Sequence, residues 1–208
     1  MKLVAESFAW PFRGRRWSRW AVGVLVVLGA AVLFIPLLGY AIAATRAAEQ
    51  APSQGPPAWT LSARLIFDGS WTTLALAITV APFALAWNPL AEMLPVSDAT
   101  LAHAVAFFVL ALPWGLVVLL VMPHATAAFA SSGQPHDLFD VGAALHAVRN
   151  DFATWNTAAA AMVTAWAVGF ACAGLLCVGL VPGIFYAILV SAHAAAALRA
   201  KDPRPAAR

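Results

Sequence analysis

Five histidines, nine carboxylates and two cysteines are the side chains of this sequence that could bind a metal, move a proton or attack a substrate. A neutral histidine inside a membrane bundle can ligate a metal, haem or pigment, or hydrogen-bond a neighbour. His103 and His193 lie in or near apolar segments and are the two candidates for cofactor binding. Neither stands in a His-x-x-x-His or Glu-x-x-His pattern, so a structural, hydrogen-bonded role is the favoured reading of both. His124, His136 and His146 fall at irregular spacing in a polar stretch and read as solvated surface. A proton or ion path needs a carboxylate within the membrane. Asp68, directly before Gly69 and Trp71, is the nearest. At a helix start its carboxylate meets the positive end of the dipole, and capping is the favoured reading. Glu92, Asp98, Asp137, Asp140 and Asp151 belong to loops and helix ends. Cys172 and Cys177 sit five residues apart on different faces of one helix and read as packing residues. The sequence holds neither a Ser-His-Asp order, nor Gly-x-Ser-x-Gly, a Walker loop or a zinc signature. It therefore predicts no catalytic residue, no metal and no cofactor, and a protein that is not an enzyme.

The elements that must position these residues are hydrophobic helices. The chain is 62% hydrophobic and 10% charged, against about 25% charged residues in soluble domains. Residues 20–45, 69–91, 99–136 and 152–198 contain no Asp, Glu, Lys or Arg. A crossing of the hydrocarbon core takes roughly 20 apolar residues, and in lipid each segment must satisfy its own backbone, which predicts helices. The expected fold is an all-α polytopic transmembrane bundle of five to six membrane segments, one of them short or re-entrant, with an interfacial amphipathic helix. A basic amphipathic lead covers residues 1–19, a single transmembrane domain residues 20–200, and a basic tail residues 201–208. The first apolar stretch is longer than a signal-peptide core of about 7–15 residues and reads as a retained membrane helix, Trp17 to Ile35. A turn is expected at Pro36–Gly39, with residues 37–48 returning as the short segment. A Pro-rich connector (49–60) precedes a second helix from Ser62 to Trp87. Asn88-Pro89 and Pro95 bracket a loop, and Asp98 or Thr100 caps a third helix reaching Met122, kinked at Pro113. Asp137 is expected to cap an interfacial helix whose apolar face is Leu138, Val141, Leu145, Val148 and Phe152. A fourth helix (Thr154–Val178), a turn at Pro182-Gly183 and a last helix (Ile184–Ala200) complete the chain.

The positive-inside rule favours six segments with both ends inside, in a prokaryotic cytoplasmic (inner) membrane. All twelve Lys and Arg then lie on the cytoplasmic side, with cytoplasmic loops at about 46–64 and 123–151. Trp17, Trp20, Trp71, Trp87 and Trp155, with Arg13, Arg15, Arg16 and Arg19, are expected to anchor the chain at the membrane interface. The basic ends suit anionic lipid rather than nucleic acid. Small residues recur every four positions at Ala161, Ala165, Gly169 and Ala173, and again at Ala187, Ser191 and Ala195. Such faces let helix backbones approach closely, either within the chain or against another membrane subunit or a second copy. The sequence is read as a non-catalytic accessory or structural subunit that binds the lipid bilayer and other membrane proteins. The alternative is a transporter or permease. Residues 34–42 and 180–188 resemble each other as a hairpin repeat would, although alanine-rich segments match as readily by chance.

Several short motifs also resemble the DUF4013 family of bacterial and archaeal membrane proteins. They are Phe8-Ala9-Trp10-Pro11-Phe12-Arg13, Pro36-Leu37-Leu38-Gly39-Tyr40 followed by Arg46, and Leu65-Ile66-Phe67-Asp68-Gly69. Phe139-Asp140, Asn150 and the Tyr186…His193 helix follow in similar order. The N-terminal cluster carries most of the specificity. The sequence departs from the pattern in its linker, where Pro56-Pro57-Ala58-Trp59-Thr60 replaces an acidic, Trp-containing stretch. The resemblance implies a multi-helix membrane fold and no assigned activity.

Overall fold

Ser62 ends the Pro-rich connector and accepts a hydrogen bond from Leu65 N at 3.2 Å, starting a helix. Asp98 does the same through Leu101 N at 2.9 Å, Asp140 through Ala143 N at 2.8 Å and Asp151 through Thr154 N at 3.1 Å. Each supplies an acceptor to a first-turn amide that has none within its helix. In the computed structural model, residues 2–13, 17–172 and 179–199 are described. Their elements in order are α1 (Lys2–Ala9), a 3-10 turn (Trp10–Phe12), α2 (Trp17–Leu28), α3 (Ala30–Gln50), α4 (Ala63–Met93), α5 (Ala99–Ser132), a second 3-10 turn (Pro135–Leu138), α6 (Val141–Asn150), α7 (Phe152–Ala171) and α8 (Leu180–Arg199). No strand occurs among the described residues, so the fold is all-α.

α8 is the centre. It packs on α7, α3, α2, α5 and α1 and buries Phe185, Leu189, Val190 and a run of alanines. α4 and α5 form an antiparallel hairpin. Trp87 Nε1 donates to His103 O near its tip, at 2.8 Å, and Trp114 Nε1 to Thr79 O farther down, at 2.9 Å. α4, α5 and α8 are long and apolar enough to cross a membrane. Over half of the apolar stretch of α8 is buried, 56%, against 11% in α4 and 6% in α5. The hairpin thus stands at the margin with its apolar side chains uncovered.

Two helix crossings are made by glycine on glycine. A methyl on Gly39 of α3 would overlap Leu65 O of α4, and one on Gly69 would overlap Ile35 O. On the other side of the bundle, a methyl on Gly169 of α7 would lie 2.9 Å from Gly183 O of α8, and one on Gly183 would lie 2.7 Å from Gly169 O. Both crossings bring backbone onto backbone, which only a residue without Cβ permits.

The structure corrects several boundaries. The turn expected at Pro36–Gly39 lies earlier, at Gly29, with non-helical backbone at Leu33 (φ −104°, ψ 18°). Pro36 then falls in the first turn after that break, where its missing N–H has no helical acceptor to lose. Pro182 likewise lies in the first turn of α8 rather than in a loop. α4 runs through Asn88-Pro89 to Met93, and α5 runs through Pro113 and Pro123 to Ser132. In an apolar segment, losing one backbone bond at a proline costs less than exposing a loop to lipid. α5 ends where Gly133 takes a left-handed φ of 72°. Asp140, not Asp137, caps α6, because Asp137 belongs to the 3-10 turn. Of the expected interfacial face, Leu138 and Val148 are buried, while Val141, Leu145 and Phe152 are exposed.

Candidate functional site

The densest polar chemistry lies where the amino-terminal segment, the connector and the amino-terminal half of α8 meet. Pro11 in the 3-10 turn accepts from Trp20 Nε1 at 3.1 Å, folding the lead back onto α2. The connector then crosses over this corner. Arg13 donates to Pro52 O at 2.8 Å, Arg19 donates to Pro56 O, and Tyr40 Oη donates to Pro57 O at 3.0 Å. Gly55, at φ 75°, lies directly on the Arg13 carbonyl, where a Cβ would collide. Trp59 stacks on Tyr40 with centroids 3.8 Å apart and planes 5° from parallel. Phe185 of α8 lies against Trp20, Tyr40 and Trp59. These residues enclose a small cavity walled by Pro11, Arg13, Arg19, Trp20, Tyr40 and Phe185, with Pro56 and Leu189 completing it.

A second polar cluster ties three helices together nearby. Arg46 of α3 donates to Asp68 Oδ2 of α4 at 3.1 Å and to Ala130 O of α5 at 2.8 Å. Arg64 stands 4.0 Å from the same carboxylate oxygen. Asp68 is buried to 2% exposure. The expected capping role is therefore wrong: Ser62 holds the cap, and the buried Asp68, six residues on, is the partner of the half-buried Arg46. Near the same end, burial pushes the Glu49 carboxyl above its ordinary value, an effect opposed by Arg199 and then Arg46.

His193 pairs with Ser7 Oγ through Nδ1 at 3.0 Å and packs on the Trp10 ring, both residues being fully buried. His103 is at the opposite end, its Nδ1 2.7 Å from Ala99 O. The two histidines are not brought together, and among the described residues no three His, Cys, Asp or Glu side chains converge. The small-residue faces meet each other. Ala161 lies with Ala194 and Ala195, Ala165 with Ala187, and Ser191 accepts from Trp166 Nε1 at 3.2 Å. These faces are used within the chain. Trp155 is largely buried and donates to Leu119 O at 3.2 Å. Trp71 packs against Phe67 and Phe139. Arg15, Arg16, Ala173, Cys177 and the tail 201–208 lie outside the described residues, as does the side chain of Trp17.

Residues 22–190 match a family described as a protein of unknown function, DUF4013. The chain belongs to the DUF4013 family. No curated protein and no solved structure gave a match. The DUF4013 match takes in Tyr40, Arg46, Asp68 and Phe185, but begins after Arg13, Arg19 and Trp20. The segment Phe8–Arg13, on which the resemblance leaned most, is outside it. The DUF4013 core thus includes the buried ion pair and both glycine crossings, while the cavity joins core residues to the lead.

The connector residues Trp59 and Pro57 were read as a place where this DUF4013 chain departs from the pattern. Here they close the cavity through Tyr40. The pairs Arg46–Asp68, Ser7–His193 and Tyr40–Trp59 were missed in the sequence, and no local spacing marks them. A charged or polar residue within or beside an apolar run was the one available signal, and Arg46, Asp68 and His193 all carried it.

Proposed function

We propose that this chain is a non-catalytic subunit of the prokaryotic cytoplasmic membrane that packs against other membrane proteins through the α4–α5 hairpin. The observation that carries this reading is the uncovered apolar surface of that hairpin, which includes Ile78, Leu85, Phe108, Leu112 and Leu116. Gly115 supports it. It sits on α5 with no atom within 4 Å of where its Cβ would be, the helix's own turns aside. Gly39, Gly69, Gly169 and Gly183, by contrast, are used where helices cross. A glycine inside a helix costs about 1 kcal/mol relative to alanine, and a partner helix seated there would return that cost by close approach. Both termini face the cytoplasm and six segments enter the membrane as three hairpins. In support, the described Lys and Arg precede or begin α1, α2 and α4 or fall in the last turns of α3, α6 and α8, whereas the 94–98 connection carries Asp98 and follows Glu92.

Native mass spectrometry of the endogenous protein, extracted in mild detergent, tests the subunit reading. The expected result is a defined complex with other membrane chains, lost in Gly115→Leu while the folded chain itself survives. Recovery of the wild-type chain alone would sink it. A second reading, a permease, draws on Pro82 and Pro89 in α4 and Pro113 and Pro123 in α5, since prolines within membrane helices are hinge points. Substrate uptake by vesicles containing the isolated chain would favour it.

A further inference from the structure

A proline inside a helix donates no backbone hydrogen bond, so the carbonyl four residues earlier loses its helical partner and the helix bends most readily there. α4 carries two such gaps, Ile78–Pro82 and Leu85–Pro89, and α5 carries two more, Val109–Pro113 and Leu119–Pro123. They are not equivalent. Leu119 O accepts from Trp155 Nε1 of α7 at 3.2 Å, and Pro123 itself is buried. The bond that Pro123 removes is thereby replaced from the bundle, and α5 is fixed at that level.

The gaps at Ile78–Pro82 and Val109–Pro113 lie across from one another in the hairpin. Trp114, next to the second, donates to Thr79 O inside the first at 2.9 Å. Just beyond both, Phe83 meets Phe107 edge to face with centroids 5.5 Å apart. Two missing bonds at one height weaken both helices of the pair in the same place. Burial divides the hairpin there as well. On the base side, α4 buries residues between Leu65 and Ala75, and α5 between Pro123 and Ala130. Toward the tip, Ala91, Ala102 and Ala106 are buried, and Trp87 of α4 holds α5 through the Phe107 ring and the His103 carbonyl. Between these two groups, in 76–90 of α4 and 107–122 of α5, no residue is buried. The base is tied to α3 and α8, the tip is tied across itself, and the Trp114–Thr79 bond spans the join.

We propose that the hairpin is an arm of two rigid parts, hinged where the Pro82 and Pro113 gaps lie side by side, with Trp114 as the clasp across the hinge. The tip swings as one body on a base that Trp155 and the Arg46–Asp68 pair hold in place. A bend of about 20° acting over the roughly 22 Å of helix between Pro82 and the tip carries the tip about 8 Å. The motion changes the angle at which the uncovered apolar face is presented. The inference goes beyond both functional readings above, since it needs neither a partner chain nor a substrate.

The test is pulsed double electron resonance on the full chain in mild detergent, with Cys172 and Cys177 replaced by alanine. One spin-label pair joins the tip to the bundle, Ser97→Cys with Val163→Cys, both at exposed positions. A reference pair, His146→Cys with Val163→Cys, stays within the bundle. Pro82→Ala combined with Pro113→Ala restores both backbone bonds and should narrow the tip-to-bundle distance distribution. Trp114→Phe should widen it, by up to about 8 Å. Pro89→Ala should leave the width alone, because the gap it closes faces unbroken α5. The reference pair should not change in any variant. An unchanged width in the double proline variant overturns the hinge. So does equal narrowing in Pro89→Ala or in the reference pair. A folded Trp114→Phe chain with no added width overturns the clasp. Should Trp114→Phe fail to fold, the proline variants still decide the hinge.

Discussion

Arg46 touches three helices at once. It bonds the Asp68 carboxylate on α4 and the Ala130 carbonyl on α5 while belonging to α3. Asp68 is nearly out of contact with solvent, and Arg46 keeps some exposure. Removing one member of such a pair leaves the other as a buried charge, whereas replacing both with apolar groups does not. Arg46→Ala should therefore destabilise the chain by about 3 kcal/mol, and the double substitution Arg46→Met with Asp68→Leu by clearly less. Thermal melts of both variants in the same detergent give the comparison. Equal losses would mean that the pair is not energetically coupled. At this scale the sequence spoke only in part. Asp68 stood out because it abuts an apolar run, but its spacing from Gly69 and Trp71 suited a helix cap equally well. What decided between capping and pairing was a residue twenty-two positions away, and local periodicity holds no record of that.

The helices themselves were legible wherever the signal was local. Ser62 and Asp98 begin α4 and α5 as expected, because a side-chain acceptor followed by an apolar run is a start signal in its own right. Stops were read less well. The sequence predicts breaks at Pro36, Pro89 and Pro182, yet each lies inside a helix. The rule that proline breaks helices assumes water to satisfy the freed carbonyl, and a lipid-facing segment has none. The glycines separate into two populations that sequence alone does not distinguish. Gly39 forms the α3–α4 crossing, while Gly115 faces open space. Gly39→Ala should cost about 3 kcal/mol through overpacking against the α4 backbone. Gly115→Ala should raise the stability of the isolated chain by about 1 kcal/mol through helix propensity. Denaturant titrations on each variant read both signs, and a stabilised Gly39→Ala would contradict the crossing.

For the whole molecule, the fold class was legible because charge and apolar length are properties of composition. Three helices meet the requirements of a crossing, and the proposed six-segment arrangement adds α2, α3 and α7. In the proposed orientation, residue 97 and residue 134 should lie on opposite faces of the membrane. In a background with Cys172 and Cys177 replaced by alanine, Ser97→Cys should react with an impermeant maleimide on intact cells. Gln134→Cys should react only after the cells are opened. The reverse pattern would invert the proposed orientation. The cavity was invisible at this scale, since it is assembled from the lead, the connector and α8, which are distant in sequence and share no periodicity.

The acidic flanks of the 94–98 connection bear on how the chain enters the bilayer. In the proposed orientation, α4 and α5 would insert as a pair whose connecting end carries only Glu92 and Asp98 as charged residues. The resting potential, negative inside, drives anions outward by about 2.3 kcal/mol per charge per 100 mV. The same field would oppose a lysine at either place. In that orientation membrane energisation would assist the translocation of the hairpin tip, and dissipating the potential should slow its appearance outside.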